Sequence, residues 1–542
     1  MAMNKNENTS SKYDFITCKE LIHEGSPNVY QLRPTTKNIG TLKRMTLGEK
    51  NPNKKNKTIL LVGETGAGKS TLINALVNFA IGVKWEDDVW FKIVEDEKKK
   101  QLESQTSDVI VYEIFGFEDE TLPYSLTIID SPGYGNTDGI EQDVIVSQRL
   151  FDLFRSEDGV DEMNVVGLVL KATENRLDER LSYVFNSVVS LFGKDMEHNI
   201  VVLITYSNGR TPRNALKALE AANIKSARNE ENQPVYFLFD NCQNEERTDD
   251  IEDLQHADKI ATKGMKQFID FLGKTEPQKL EITVHVLNER IRLTACIQNL
   301  QERIQYIKLK RTEIQQTKEA VKKHEQEMKM NEEFTVEVDE AYKDIERIGG
   351  GWWWLMFFEG ATCCKVCEEN CHYPGCTVAT TPSWCEVMKD GRCTACTKKC
   401  PVAAHVKEGW RFVSKTRRVK KTLQDVKVKY EKNKGENEKK MSLLESLQKE
   451  IKNLEANKTQ LLYEAYEHVV RLEQIALNVV SMSTYVHLDF LIEEMEKKKD
   501  TKKVQKLKEM ASEKDKGFLG GVRYMYRTLI KRKKTDARGT EV

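Results

Sequence analysis

The run Gly63-Glu64-Thr65-Gly66-Ala67-Gly68-Lys69-Ser70 places two glycines, a lysine and a hydroxyl at the spacing of a phosphate-binding loop. Glycines let the backbone curl until successive N–H groups point at a phosphate. Lys69 then neutralises the β and γ oxygens, Ser70 offers its hydroxyl to Mg²⁺, and Thr71 opens the helical run that must follow. The chemistry implied is binding of a purine nucleoside triphosphate with Mg²⁺. Such a site needs an acid at the end of a neighbouring strand, and Leu126-Thr127-Ile128-Ile129-Asp130 supplies one, followed by Ser131-Pro132-Gly133. Asp130 is expected to hold Mg²⁺ through water, and the Gly133 N–H to sense the γ-phosphate. Thr106, in Ser104-Gln105-Thr106-Ser107, is assigned as the switch hydroxyl that joins Mg²⁺, on its position between the other two motifs.

A second chemistry lies further on. Of 12 cysteines, nine fall between Cys363 and Cys400. Cys364-x2-Cys367 and Cys393-x2-Cys396 form two metal knuckles, surrounded by Cys371, His372, Cys376, Cys385, Cys400 and His405. These ten candidates exceed the eight ligands that two tetrahedral zinc ions require. The reading is two structural Zn²⁺ ions. One takes Cys364, Cys367, Cys393 and Cys396 in a crossed arrangement, and the other draws on Cys371 or His372, Cys376, Cys400 and His405. Nothing indicates an open coordination position, and the spacing does not fit a RING pattern, so neither catalytic zinc nor ubiquitin ligase activity follows. Disulfides would require an oxidising compartment.

The elements that must position these groups are legible as patterns. Short β-branched runs at Thr58–Val62, Val109–Ile114, Leu126–Ile129, Val165–Leu170, Ile200–Thr205 and Val235–Phe239 alternate with amphipathic segments, which predicts a three-layer α/β domain with a mostly parallel sheet. From Thr275-Glu276-Pro277 onward, Val286, Leu293, Leu300, Ile307, Ile314 and Val321 recur every seven residues, with Ile297 and Ile304 alongside, as in a coiled-coil seam. The pattern stops at Gly349-Gly350-Gly351 and resumes with Phe412, Val419 and Val426, then Leu447, Leu454 and Leu461. Two heptad arms around a compact insert predict an antiparallel helical hairpin with the zinc module at its tip. The chain divides into a lead segment 1–57, the α/β domain 58–274, a first arm 275–348, the module 349–408, a second arm 409–515 and a basic tail 516–542.

In order and type, GETGAGKST, SQT and DSPG resemble the septin-like GTPases, in particular the branch of the immunity-associated GTPases and the chloroplast import receptor GTPases. The chain also resembles animal proteins that join such a G domain to a cysteine-rich coiled coil. The resemblance covers roughly Lys57 to Leu272 and implies a P-loop G domain, GTP and GDP as ligands, and dimerisation across the nucleotide face. The base-reading segment departs from the usual Asn/Thr-Lys-x-Asp: the strand ending at Thr205 leads to Tyr206-Ser207-Asn208. The resemblance implies that Tyr206 stacks on the base and that Asp240-Asn241 closes over it, with Asn241 the contact residue; the Asn208 carbonyl can accept a guanine N–H, but its amide also donates, so it discriminates less sharply against adenine. Tyr134 stands where many GTPases place the glutamine that orients water, so hydrolysis is expected to be slow. Arg176 resembles the import-receptor arginine that crosses the dimer interface, and is assigned to reach the partner's phosphates.

Composition bounds the partners. Lys+Arg 84 against Asp+Glu 85 gives no electrostatic case for nucleic acid. Met1–Ser11 carries no secretory pattern, Ala2 excludes N-myristoylation, and no apolar run approaches the roughly 20 residues of a membrane span, so a cytoplasmic protein is expected. Trp352–Phe358 reads as an apolar plug for the zinc module rather than a membrane-dipping tip. Arg523–Lys534, with Tyr524, Tyr526 and Leu529 interleaved, offers a peripheral contact for an anionic surface. The functional expectation is a GTP-dependent assembly switch or scaffold that self-associates through its G domain and meets a protein partner through its stalk. The alternatives are a nucleotide-binding structural adaptor without turnover, and an ATPase with a zinc-tipped coiled coil. Against the ATPase, Ser-Pro-Gly rather than glutamate follows Asp130, and no LSGGQ-like signature occurs.

Overall fold

The computed structural model describes residues 12–39, 42–95, 109–118, 121–132, 149–156, 158–174, 179–247, 251–330, 335–348, 360–376, 381–422, 443–479 and 482–512. The chain forms two compact units, one of Met1–Leu287, Ile475–Met482 and Glu509–Val542, the other of Asn288–Gln474 and Ser483–Lys508.

The first unit is built on an eight-stranded sheet. Its strands are β1 (Thr35–Ile39), β2 (Leu42–Leu47), β3 (Asn56–Val62), β4 (Ile110–Ile114), β5 (Ser125–Asp130), β6 (Val165–Lys171), β7 (Ile200–Thr205) and β8 (Tyr236–Leu238), in the order β8-β7-β6-β3-β5-β4-β2-β1. From β8 to β5 all neighbours are parallel; β4 runs antiparallel to β5, and β1 to β2. The central strands read as continuous apolar runs because both faces are covered, and Ile59, Leu60, Leu61 and Val62 are fully buried. Helix α1 (Lys69–Ile81) follows β3, and the chain order reverses on either side of β3, where open α/β sheets form their ligand crevice.

Residues assigned to a lead segment belong to this unit. β1 and β2 extend the sheet, and Lys19–His23, Asn28–Leu32 and Val89–Lys92 form a second, three-stranded one. Tyr13, Ile16, Val29, Leu32, Met45 and Leu47 share a core with Leu72, Leu76 and Phe91. Two asparagines four residues apart on α1 hold the small sheet. The Asn74 side-chain oxygen accepts N–H bonds from Ile93 (2.9 Å) and Val94 (3.1 Å), while Asn78 both accepts from the N–H (2.9 Å) and donates to the carbonyl (2.6 Å) of Phe91.

In the second unit, helix α2 (Glu281–Met330), which starts in the first, runs antiparallel to helix α3 (Leu443–Ile475): Glu289 meets His468, Cys296 meets Leu461, and Arg311 meets Glu455. Leu293, Ile297, Leu300, Ile307 and Ile314 are buried along α2, as are Leu454 and Leu461 on α3. Between the helices the chain departs from the expected arms. Thr335–Arg347 (β9) and Trp410–Thr422 (β13) pair antiparallel over their whole lengths, so Phe412 and Val419 lie on a strand despite their seven-residue spacing. The ribbon is favoured by Val, Thr and aromatic residues and by acids facing bases: Glu340 with Arg417 (2.8 Å), Asp344 with Lys415 (2.8 Å) and Glu346 with Arg411 (2.8 Å). It runs back along α2, with Asp339 at Gln316, Ala341 at Glu313 and Lys343 at Glu302. The cysteine module is therefore not at a hairpin tip. It sits against the flank of α2 at Ala295, Asn299 and Arg303.

Candidate nucleotide and metal sites

The phosphate loop spans the gap between the end of β3 and the start of α1. Gly66 (φ +80°) and Gly68 (φ +86°) take the left-handed conformation that lets the loop curl, and Gly68 is the N-cap of α1. No acid occupies the first turn of α1, so the positive end of its dipole is not offset locally. Lys69 is buried, and its ammonium donates to the carbonyls of Gly63 (2.8 Å) and Glu64 (3.1 Å). Ser70, Thr65 and Gly66 are exposed, Glu64 and Thr71 half-buried, and Ala67 buried. Asp130 ends β5 level with Leu61 of β3, and the Ser131 hydroxyl donates to the Leu61 carbonyl (2.9 Å), fixing the chain as it leaves that acid. The arrangement can cradle a polyphosphate and present a hydroxyl and a carboxylate to a divalent cation.

The base-reading residues are divided by the fold. The Thr205 hydroxyl donates to the carbonyls of Ala67 (2.7 Å) and Leu170 (3.3 Å), so it ties β7 to the phosphate loop rather than facing a ligand. Tyr206 has φ +51° and a 56% exposed side chain, and the Lys171 ammonium lies 5.7 Å from its ring centroid. An exposed ring next to Thr205 can offer a stacking face, and Lys171 is a neighbour that sequence reasoning overlooked. The Asn208 side-chain oxygen accepts the Arg210 N–H (3.1 Å), closing a local turn. The polar side-chain atoms of Asn241 are buried without hydrogen-bond partners among the described residues, facing a cavity of about 50 Å³ lined by Asn78, Trp85, Trp90, Gln243 and Arg247. Asn241 is thus turned toward the middle of α1. Thr106, Gly133, Tyr134 and Arg176 lie outside the described residues.

The cysteine module rests on strands β10 (Gly360–Cys364), β11 (Glu369–Cys376) and β12 (His405–Glu408), ordered β11-β10-β12. The Glu369 carboxylate fixes it to the helix, accepting from the Thr397 N–H (2.7 Å) and from Arg303 of α2. The ligand atoms gather into Cys364, Cys367, Cys396 and Cys400; Cys371, Cys393, Cys396 and His405; and His372, Cys376, Cys385 and Glu386. The grouping differs from the expected pairing. Cys400 joins the first knuckle, Cys393 turns to Cys371 and His405, and Cys376 is drawn to Cys385. Glu386 was missed because only Cys and His were weighed, although it directly follows Cys385. The thiols share protons in pairs: Cys364 is held well below the ordinary range by Cys367, which is pushed up in turn, Cys393 likewise by Cys371, and Cys376 is held at about 4 by Cys385, while Cys396 is pushed up by its four thiol neighbours. Thiolate character is what a metal ligand needs. All nine cysteines of the module are free of disulfides.

The septin family model matches residues 53–147. No curated protein matches the chain. Among solved structures, the chain is similar to Toc33 from Arabidopsis thaliana in complex with Mg²⁺ and GMPPNP, at 14% identity over 42% of this chain and 88% of that one, with a TM-score of 0.28. Toc33 with GDP and Mg²⁺ matches at 15% identity over 41% and 87%, TM-score 0.28. Elongation factor SelB from Methanococcus maripaludis, in complex with a GTP analogue, matches at 12% identity over 42% and 36%, TM-score 0.23. Residues 53–147, which hold the phosphate loop and the strand that ends at Asp130, are thus similar to the septin family.

Proposed function

We propose that this protein binds GTP and GDP with Mg²⁺, hydrolyses GTP slowly, and uses nucleotide state to set self-association of its G domain, with the helical pair and cysteine module engaging a protein partner or further copies. The observation that carries the reading is the loop geometry: Lys69 held over the Gly63 and Glu64 carbonyls, Ser70 exposed on the first turn of α1, and Asp130 one strand away. An incoming β,γ-phosphate replaces those carbonyls as the partner of Lys69. The septin match at residues 53–147 supports guanine over adenine, and the exposed Tyr206 ring supports stacking on the base. Titration with fluorescent GTP, GDP and ATP analogues tests this; ATP binding tighter than GTP overturns the guanine assignment.

Switching is tested by light scattering of the GDP form against a non-hydrolysable GTP analogue, with a larger species expected in the triphosphate state. Turnover per molecule should rise with protein concentration, and Arg176→Ala should abolish that rise. A second reading, bound nucleotide as a structural element of an adaptor, is favoured by Tyr134 at the position of the water-orienting glutamine. Turnover that stays negligible at every protein concentration selects it. The cysteine module is read as a structural zinc centre that folds a segment too small for its own apolar core, in a reducing compartment such as the cytoplasm.

A further inference from the structure

The three ligand sets imply more metal than two independent ions. A tetrahedral ion with bonds of about 2.3 Å places its sulfurs ~3.8 Å apart. Cys367 and Cys400 have their sulfurs 3.7 Å apart, and Cys376 and Cys385 3.8 Å. Within each set every ligand atom lies within 4.8 Å of every other.

Cys396 belongs to two of the sets. Six cysteines and His405 therefore face eight coordination positions, and the arithmetic closes only if one thiolate serves both ions. Among the described residues no spare thiol is at hand, since Cys296 of α2 turns its sulfur to the Leu461 carbonyl (3.5 Å). Cys363, on the same strand as Cys364, directs its sulfur to the Asn370 side chain (3.5 Å) and the Trp410 carbonyl (3.7 Å), while Cys376 and Cys385 belong to the third set. The backbone is already arranged around thiolates. Cys367 N–H donates to Cys364 Sγ (3.4 Å), Ala395 and Cys396 N–H to Cys393 Sγ (3.3 Å each), and Cys400 N–H to Cys396 Sγ (3.1 Å). His405 is oriented as a ligand: Nδ1 lies 3.0 Å from the Pro401 carbonyl, leaving the buried Nε2 as the atom that can join Cys371, Cys393 and Cys396.

The third set differs in kind. His372, Cys376, Cys385 and Glu386 are each at most 5% exposed, with His372 Nδ1 3.3 Å from Cys385 Sγ and 2.9 Å from a Glu386 oxygen. Two thiols, an imidazole and a carboxylate buried together are a mixed set for one divalent ion, harder than its sulfur-rich neighbour.

We propose that the module holds three zinc ions, two joined through the Cys396 thiolate in a Cys6His centre and the third held separately by His372, Cys376, Cys385 and Glu386. This rests on the reading of the module as a metal centre. Elemental analysis of the full chain purified without chelator is expected to give three zinc ions per chain, and Glu386→Gln two, with Cys376→Ser as a second probe of that site. After exchange with ¹¹³Cd, three resonances are expected: two with mutual scalar coupling through the shared sulfur, and a third without it that disappears in Glu386→Gln. Three ions without cadmium–cadmium coupling overturn the bridge. Two ions per chain that Glu386→Gln leaves in place overturn the third site. A fully folded chain with no bound metal overturns the metal-centre reading itself.

Discussion

Lys69 is the residue on which nucleotide affinity should depend most. Its ammonium is held by two loop carbonyls, which the β and γ oxygens of a triphosphate would replace as its partners. Removing it forfeits charge-assisted hydrogen bonds of about 3 kcal/mol in total, or roughly 100-fold in Kd. Lys69→Ala should therefore weaken GTP-analogue binding by about that factor in a fluorescence titration, while far-ultraviolet circular dichroism stays unchanged; retained affinity would discount the loop as the phosphate site. At this scale the sequence was informative wherever spacing alone sets geometry, as from Gly63 to Ser70. It was uninformative where the direction of a side chain decides the role. Nothing local distinguishes an Asn241 that closes over a base from one turned toward Trp85 and Trp90, or a Thr205 that meets ligand from one that bonds the Ala67 carbonyl.

Elements here are held by a few buried polar contacts whose loss is measurable. Asn78 satisfies both backbone groups of Phe91, so Asn78→Leu leaves a buried donor and acceptor without partners at about 1–3 kcal/mol each. The urea midpoint should fall by the equivalent of roughly 3 kcal/mol, whereas an unchanged midpoint would mean the small sheet is held by its apolar face alone. In helix Ile251–Lys274, a Cβ on Gly264 would lie 1.8 Å from the Leu238 carbonyl oxygen, so Gly264→Ala must push the helix off β8 and lower the thermal midpoint. The helix pair carries a titrating contact. Burial raises the Glu289 carboxyl, but hydrogen bonds from His468 and Arg292 outweigh it and hold the group at about 2. The unfolded chain then binds more protons between pH 4.5 and 2, so this stabilisation is complete above pH 4.5 and is lost as pH falls through about 2. Glu289→Gln should flatten stability against pH across that window. The β9–β13 ribbon was misread because a seven-residue apolar spacing marks only two positions on a strand. The acidic run from Glu337 to Glu346, opposite the basic run from Arg411 to Lys421, carried the better signal.

At the scale of the whole molecule, the proposed switch requires that nucleotide in the first unit alter the second. The two share α2, which begins at Glu281 in one and continues past Asn288 in the other. Thermodynamic linkage makes the requirement testable without knowing the partner. If bound GTP changes the free energy of the metal-loaded second unit, removal of metal must change GTP affinity by the same factor. For couplings of ordinary size, about 1–3 kcal/mol, that factor is roughly 5–150. The full chain should therefore bind a non-hydrolysable GTP analogue at least about fivefold less tightly after zinc is stripped by a chelator that spares Mg²⁺, and should bind zinc more tightly by the same factor when the analogue is bound. The Lys69→Ala chain controls for direct effects of the chelator, since nucleotide should no longer raise its zinc affinity. If analogue affinity is identical in metal-loaded and metal-stripped chains, no free energy passes between nucleotide and module. The adaptor reading then replaces the switch, even though both sites are occupied.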